Sequence, residues 1–274
     1  MQRIKEVMSA LKDIRSIPED LKIPELGSGK PGPGKRVSLT LKEYEDTGIH
    51  HLLYLPIDWN RGSRYPVIVE YAGNGPYHDD FGDVSEGTVE GSKLGYGISG
   101  GKGFMWACMP YVDLADKKNL TKWWGDVDAT AEYCRKALRI VCDEYGGDPS
   151  SLIITGFSRG AIACNFIGLH DDKIARLWKA FISFSHYDGV REDWGYMGAD
   201  RASALVRLKR LKGRPQFICN EGDSCVETEE YIRSTGIKGS FTFQPTFFRN
   251  HNDAWILRDS ATRRMLREWL GKVI

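Results

Sequence analysis

One stretch constrains the fold of this chain more than any other, the segment from Leu152 to Ala163 with the sequence LIITGFSRGAIA. It starts with an apolar run, passes through Gly-x-Ser-x-Gly, and continues into small and apolar residues that can form a helix. A strand that enters a helix through so tight a turn lifts one side chain, here Ser158, to the apex in a strained backbone conformation. Glycines at 156 and 160 suit that turn because neighbouring backbone approaches too closely for a Cβ atom. The pattern predicts an exposed, nucleophilic serine, and the alternative is an ordinary strand-turn-helix with a buried serine.

The length and composition indicate a soluble globular protein. The chain has 274 residues, of which 41% are hydrophobic and 27% charged, values usual for such proteins. No internal repeat or change of composition divides it. We expect a single domain over residues 35–274. Residues 1–34 precede it as a helix, predicted over residues 1–22, and a flexible connector, the Gly- and Pro-rich run 27–34.

The charge balance and the apolar runs limit the partners that can be expected. Lys and Arg number 38 and Asp and Glu 37, for a formal charge of +1, which gives no electrostatic reason to expect nucleic acid. No apolar run approaches the roughly 20 residues that span a bilayer, and the first residues lack the apolar core of a signal peptide. The protein is expected to be cytoplasmic, or secreted after removal of a leader. Nothing indicates its oligomeric state.

The six cysteines are scattered, without a C-x-x-C pair. They stand at positions 108, 134, 142, 164, 219 and 225, mostly within apolar segments. Buried free thiols are the expectation, although an even count also permits disulfides.

The acidic residues between 78 and 103 lack the alternating ligand spacing of a calcium loop, so no metal and no cofactor is expected, and that segment is predicted to be a long loop beside the site.

Strands and helices alternate from the third strand onward. Apolar, β-branched runs predict strands such as 66–71, 103–110 and 180–184, and a stripe of apolar residues predicts a long helix from Asp126 to about Tyr145. This alternation favours an α/β fold, with a mostly parallel sheet of about eight strands and helices on both faces.

A nucleophilic serine needs a base, and the base needs an acid that orients it. In strand-turn-helix serine enzymes these follow in the order Ser, acid, His. His251 lies in a polar loop between the last strand and the last helix, which would place it at the carboxyl ends of the strands. His186 precedes the strand that should supply the acid, so His251 is the predicted base.

The predicted acid is Asp223, just past the strand that ends at Asn220. Glu221 is a close competitor and Asp188, one strand earlier, a more distant one. A helix-capping role is the alternative explanation of Asp223.

Two further groups are candidates for the reaction and for substrate. Glycine-rich backbone at Gly73 and Asn74, just past a strand, can turn N–H groups toward an oxyanion, as can the N–H of Arg159 at the start of the helix; a plain turn is the alternative. Three aromatic residues are candidates for lining a substrate cleft, with core packing as the alternative: Tyr77, Trp123 and Trp124.

These residues together resemble the α/β-hydrolases over roughly residues 35–272. Within that superfamily the chain resembles the esterases grouped with polyhydroxybutyrate depolymerases and feruloyl or acetylxylan esterases, through Asp148-Pro149, the Ser158 motif, the Gly222-Asp223 turn and His251 before a closing helix. It departs where such enzymes often carry His-Gly after the third strand, since this chain has Ala72-Gly73.

The resemblance implies a cofactor-independent serine hydrolase of carboxylic esters, with nucleophile, acid and base at Ser158, Asp223 and His251. Its substrate would be a small-molecule or saccharide ester, for example an acyl or phenolic ester on a carbohydrate. A serine peptidase of the same fold and a non-catalytic binding protein on that fold are the alternatives.

Overall fold

The fold is organised around one large, mostly parallel β-sheet. The computed structural model describes residues 11–274. In chain order its strands are β1 Leu26–Gly27, β2 Arg36–Leu39, β3 His51–Tyr54, β4 Tyr65–Tyr71, β5 Tyr77–His78, β6 Val84–Ser85, β7 Met105–Met109, β8 Val112–Asp113, β9 Lys118–Asn119, β10 Gly147–Phe157, β11 Trp178–Phe184, β12 Gly213–Cys219 and β13 Gly239–Phe243. The α-helices are α1 Leu94–Ser99, α2 Val127–Tyr145, α3 Arg159–Phe166, α4 Asp172–Ala175, α5 Arg201–Leu208, α6 Val226–Thr235 and α7 Ala261–Val273. Four 3₁₀ segments complete the list: Ile14–Ser16, Lys42–Tyr44, Lys209–Leu211 and Asp253–Leu257.

Within residues 11–274 the central sheet has nine strands, in the order β1-β2-β3-β7-β4-β10-β11-β12-β13. Strand β3 runs antiparallel to both of its neighbours, and the other pairings are parallel. Because β4, β7, β10, β11 and β12 point the same way, the loops that follow them gather at one edge of the sheet.

Helices cover both faces of the sheet, which is why its central strands are apolar on both sides. Successive residues of β10 alternate between the two faces: Leu152 and Ile154 pack in the core beneath α2 and α3, and Ile153 packs in the core beneath α1 and α7. Asp126 caps the start of α2 by accepting a hydrogen bond from the N–H of Ala129, and Gly146 ends it in the left-handed conformation. The predicted α/β architecture is confirmed.

Two predicted segments differ from the structure. Residues 11–22 of the predicted N-terminal helix form only the 3₁₀ turn Ile14–Ser16, and the helix prediction for residues 1–10 falls outside the described residues. Pro18 disfavours helical backbone at Ile17, which is extended. The predicted loop 78–103 contains the end of a hairpin, β5 with β6, and helix α1.

Two further features of the structure concern the state of the cysteines and the length of the helices. All six cysteines are buried and free of disulfides. Across residues 11–274, no helix has the length and apolar character needed to cross a bilayer.

Candidate active site

Ser158 lies at the turn between β10 and α3, and the residue is buried, with 9% relative exposure, where the sequence predicted an exposed side chain. Its backbone has φ 54° and ψ −116°, a conformation that L-residues rarely adopt and that costs energy. The turn is so tight that a Cβ on Gly156 would lie 2.1 Å from the carbonyl oxygen of Gly160, and a Cβ on Gly160 would lie 1.9 Å from that of Tyr71. Only glycine fits at these two positions, and this explains the Gly-x-Ser-x-Gly spacing.

The side chain of His251 pairs with that of Glu221. His251 lies in the loop that precedes the 3₁₀ segment Asp253–Leu257, and its Nδ1 is 2.9 Å from Oε1 of Glu221, in the loop after β12. The ring of His251 also packs against Phe157, the residue before Ser158, with ring centroids 4.6 Å apart. Among the described residues no hydrogen bond joins Ser158 Oγ to His251 Nε2, and the side-chain hydrogen bonds of His251 are made through Nδ1.

The hairpin β5–β6 anchors the backbone of the His251 loop. The N–H of His251 donates to Oδ1 of Asp83 at 2.7 Å, and the carbonyl of His251 accepts from the N–H of Val84 at 3.1 Å. Two contacts on one residue fix the direction in which its side chain leaves the backbone.

The prediction of Asp223 as the acid does not agree with this geometry. Asp223 is exposed, and it has no side-chain hydrogen bond within residues 11–274. Gly222 donates its N–H to the carbonyl of Phe248 and takes φ +85°, so the chain reverses between Glu221 and Asp223. The side chain that faces His251 is therefore Glu221, the close competitor in the sequence.

Asp188, the more distant candidate, is fully engaged elsewhere. Both of its carboxylate oxygens accept from the guanidinium of Arg207, at 2.7 and 2.8 Å, and Asp188 is buried. Asp188 is therefore one half of a buried ion pair. Removing either partner of such a pair leaves an uncompensated charge.

The charge states around His251 are those that a base needs. Burial raises the pKa of Glu221, but the hydrogen bond and charge of His251 outweigh it, and the net pKa is lowered, so this carboxyl is ionised. Burial, reinforced by the charge of His251, lowers the pKa of His186 to about 4. The rings of His186 and His251 lie 5.3 Å apart, so the second imidazole is neutral near pH 7 and leaves the charge of Glu221 to His251.

The predicted oxyanion residues lie beside the Ser158 turn. The N–H groups of Gly73 and Asn74 have no acceptor within the described part of the chain, and neither has that of Arg159 in the first turn of α3. Asn74 accepts the N–H of Trp123 on its own Oδ1 at 2.8 Å, which ties this loop to the next one.

The buried guanidinium of Arg159 binds backbone carbonyls of the same loop. It donates to the carbonyls of Gly73 at 2.8 Å and Trp123 at 2.6 Å, and it stacks on the ring of Tyr111 at 3.7 Å. Burial lowers the pKa of Arg159 to about 10, so the group keeps its positive charge and remains a donor to backbone carbonyls.

The three predicted substrate aromatics fall into two groups. Tyr77 is 38% exposed and its ring stacks on that of His251, and Trp123 is half-buried against Trp194, with centroids 5.7 Å apart. Trp124 is buried and stacks on Phe166 at 4.4 Å, so it belongs to the core and cannot line a cleft.

Three residues near His251 were not predicted from the sequence. Asp83 and Ser185 contact His251 directly, and Trp194 packs on His186 with centroids 5.1 Å apart. Asp83 stood among acids of a glycine-rich loop, and Ser185 follows a predicted strand, so position just past a strand was the available signal for Ser185.

Comparison with known proteins establishes the class of fold. The chain matches a protein from Bacteroides ovatus described as a dipeptidyl aminopeptidase IV (TM-score 0.57, 13% identity, 87% of this chain and 35% of that one). It also matches an S-formylglutathione hydrolase from Agrobacterium tumefaciens (0.56, 14%, 90% and 97%) and a ferulic acid esterase (0.54, 14%, 87% and 97%). The fold is that of the α/β-hydrolases, as predicted.

More specific comparisons do not narrow this class. No family model matches the chain, and no curated protein matches it. The chain spans about a third of the length of the dipeptidyl aminopeptidase that it resembles.

Proposed function

We propose that the protein is a serine hydrolase of carboxylic esters that uses Ser158 as nucleophile, His251 as base and Glu221 as acid. The observation that carries the proposal is the pair His251–Glu221, with Nδ1 and Oε1 2.9 Å apart, whose imidazole packs on the residue before a strained Ser158. A carboxylate on Nδ1 holds the proton there and leaves the Nε2 lone pair to take the proton of a serine hydroxyl.

In this mechanism Ser158 Oγ attacks the ester carbonyl carbon while His251 takes its proton. The tetrahedral oxyanion is stabilised by the N–H of Arg159 and by N–H groups of Gly73 or Asn74, each donor being worth about 3 kcal/mol of barrier. The alcohol leaves with the proton from His251, and water then attacks the acyl-enzyme with the same histidine as base. The bond between the acyl group and Ser158 Oγ breaks, the carboxylic acid is released, and His251 returns the proton to Ser158.

The aromatic surroundings support an ester with a planar or sugar-like group. The rings of Tyr77, His186, Trp194 and Trp123 form a continuous series around His251, and such faces suit phenolic acyl groups and sugar rings. The neighbours named as a ferulic acid esterase and an S-formylglutathione hydrolase, which are close to this chain in length, favour ester over peptide substrates.

The test compares ester with peptide hydrolysis. Purified protein is assayed against p-nitrophenyl acetate and longer acyl chains, acetylated and feruloylated saccharides, and a panel of dipeptidyl anilides. We expect turnover of esters, with feruloylated or acetylated saccharides preferred over plain chains. Turnover of the anilides with no ester cleavage would replace the esterase by a peptidase, and no turnover of either would leave a binding protein on a hydrolase fold.

A further inference from the structure

Ser185 occupies an unusual backbone position directly after β11. Its φ is +89°, in the left-handed half of conformational space where side chains other than glycine are strained. It is buried, and its N–H donates to the carbonyl of Cys219 at 2.8 Å, which ties the end of β11 to the end of β12. Local turn formation alone does not account for a strained, buried serine at the edge of the sheet where the loops of Glu221 and His251 lie.

The hydroxyl of Ser185 closes a triangle with the two side chains described above. Its Oγ donates to Oε1 of Glu221 at 3.0 Å and lies 2.8 Å from Nδ1 of His251, while Nδ1 and Oε1 are themselves 2.9 Å apart. One arrangement of protons satisfies all three contacts. The Nδ1–H of His251 is shared between Glu221 and Ser185, and the O–H of Ser185 points to Glu221.

Glu221 accepts its side-chain hydrogen bonds through one of its two carboxylate oxygens. Within residues 11–274 its Oε2 is buried and has no hydrogen-bond partner, so Oε1 accepts from both His251 and Ser185. A buried carboxylate is stabilised by each donor that it accepts from. Ser185 is therefore the second donor that this carboxylate has, besides the histidine that it must orient.

We propose that Ser185 is a positioning residue whose hydroxyl locks Glu221 and His251 in the geometry and tautomer that base catalysis requires. The inference rests on the proposed function, since it assigns Ser185 a role in that reaction, but the contacts that support it exist independently of any substrate. Ser185 acts through the other two side chains and is not assigned a contact with substrate.

The effect on His251 can be measured, because few other titratable groups face this histidine. They are Glu221 after β12, His186 after β11, Asp83 and Tyr77 of the β5–β6 hairpin, and the buried pair of Asp253 with Lys93. Without the hydrogen bond from Ser185, the carboxylate of Glu221 interacts more strongly with the protonated imidazole of His251. The midpoint of His251 titration should therefore move to higher pH.

The experiment uses Ser185→Ala and Ser185→Gly, with Ser183→Ala as the matched control. Glycine accepts the positive φ without strain and so separates the hydroxyl from the backbone conformation. Ser183 is a buried serine of β11 whose hydroxyl lies 3.5 Å from the carbonyl of Ala161, away from His251. Each variant is assayed on p-nitrophenyl acetate across pH, and His251 is titrated by NMR of its labelled imidazole.

We expect both Ser185 variants to lose kcat about tenfold, the value of one hydrogen bond to a charged group, with KM changed less than about twofold. The acid limb of kcat/KM and the NMR titration of His251 should both move up by about half a pH unit, and Ser183→Ala should match the wild type. Wild-type kcat and an unshifted His251 titration in folded Ser185→Gly would overturn the proposal.

The NMR titration needs no substrate, so the inference and the proposed function can fail separately. If the wild type cleaves no ester, the proposed function fails, while a shifted His251 titration in the Ser185 variants still shows the contact at work. If the wild type cleaves esters and the His251 titration does not move, Ser185 has no positioning role.

Discussion

Nδ1 of His251 lies 2.9 Å from Oε1 of Glu221, and Asp223, two residues further on, points to solvent. The pair connects the loop after β12 with the loop that precedes the 3₁₀ segment Asp253–Leu257. This contact decides which carboxylate can orient the imidazole, and the account of the reaction depends on it.

Glu221→Gln should lower kcat about a thousandfold, because an amide no longer favours the proton on Nδ1 of His251. Asp223→Asn, two residues away and exposed, is the matched control and should keep kcat within about twofold. The measurement is steady-state hydrolysis of p-nitrophenyl acetate. A thousandfold loss in Asp223→Asn together with an active Glu221→Gln would return the acid to Asp223.

Arg159→Lys should lower kcat about tenfold while KM changes little. A lysine keeps the charge but cannot reproduce the fork of guanidinium donors that holds the carbonyls of Gly73 and Trp123. The loop that carries the proposed oxyanion donors would then be less well placed, and such donors act mainly in the transition state. Full kcat in a variant with an unchanged melting temperature would show that the side chain does not position this loop.

The acid limb of kcat/KM should have a slope of one, because a single imidazole must lose its proton. Burial and the charge of His251 lower the pKa of His186 to about 4, so His186 stays neutral over the pH range in which ordinary histidines, with pKa about 6.5, titrate. Below the pKa of the base, kcat/KM should fall about tenfold per pH unit. The profile should be unchanged in His186→Asn and in excess EDTA; loss of activity with EDTA that a divalent ion restores would contradict the serine mechanism.

His51 should make the protein less stable in acid. Burial lowers the pKa of His51 to about 4. Within residues 11–274 the one hydrogen bond of its ring joins Nδ1 to the hydroxyl of Tyr133, at 2.9 Å. Since the folded pKa lies below the unfolded value of about 6.5, the unfolded chain binds the proton first. Stability is therefore lost as pH falls from about 6.5 to 4, by about 3 kcal/mol from this residue.

Urea unfolding of the wild type and of His51→Gln at pH 7 and pH 4.5 measures that loss. The glutamine keeps a polar atom near Tyr133 but does not titrate, so its stability should fall less between the two pH values. Parallel falls in both proteins would show that His51 is not the group responsible.

The sequence identifies some parts of the site and not others, for physical reasons. The Ser158 turn is predictable because its close backbone contacts demand glycine at 156 and 160, and chain order and loop position single out His251. Glu221 and Asp223 flank one glycine, and the choice between them depends on how Gly222 turns against Phe248. That contact between distant loops leaves no pattern in the local sequence.

The positions of Ser185 and Trp124 also could not be predicted from the local sequence. A serine gives no sign that its φ will be positive, so its place beside His251 emerges only when β11 and β12 pair. Trp123 and Trp124 are neighbours in sequence, yet the first is half-buried next to Trp194 and the second is in the core. Tertiary packing assigns the two rings.

The most direct test of the central claim is the site of covalent labelling by an alkyl fluorophosphonate, read by intact mass and peptide mapping. This reagent transfers its phosphonyl group to an activated serine with loss of fluoride. We expect one adduct per chain, on Ser158, absent in Ser158→Ala and formed much more slowly in Glu221→Gln. No adduct on Ser158 in the folded wild type, or Ser158→Ala that retains more than a few per cent of ester turnover, would contradict it.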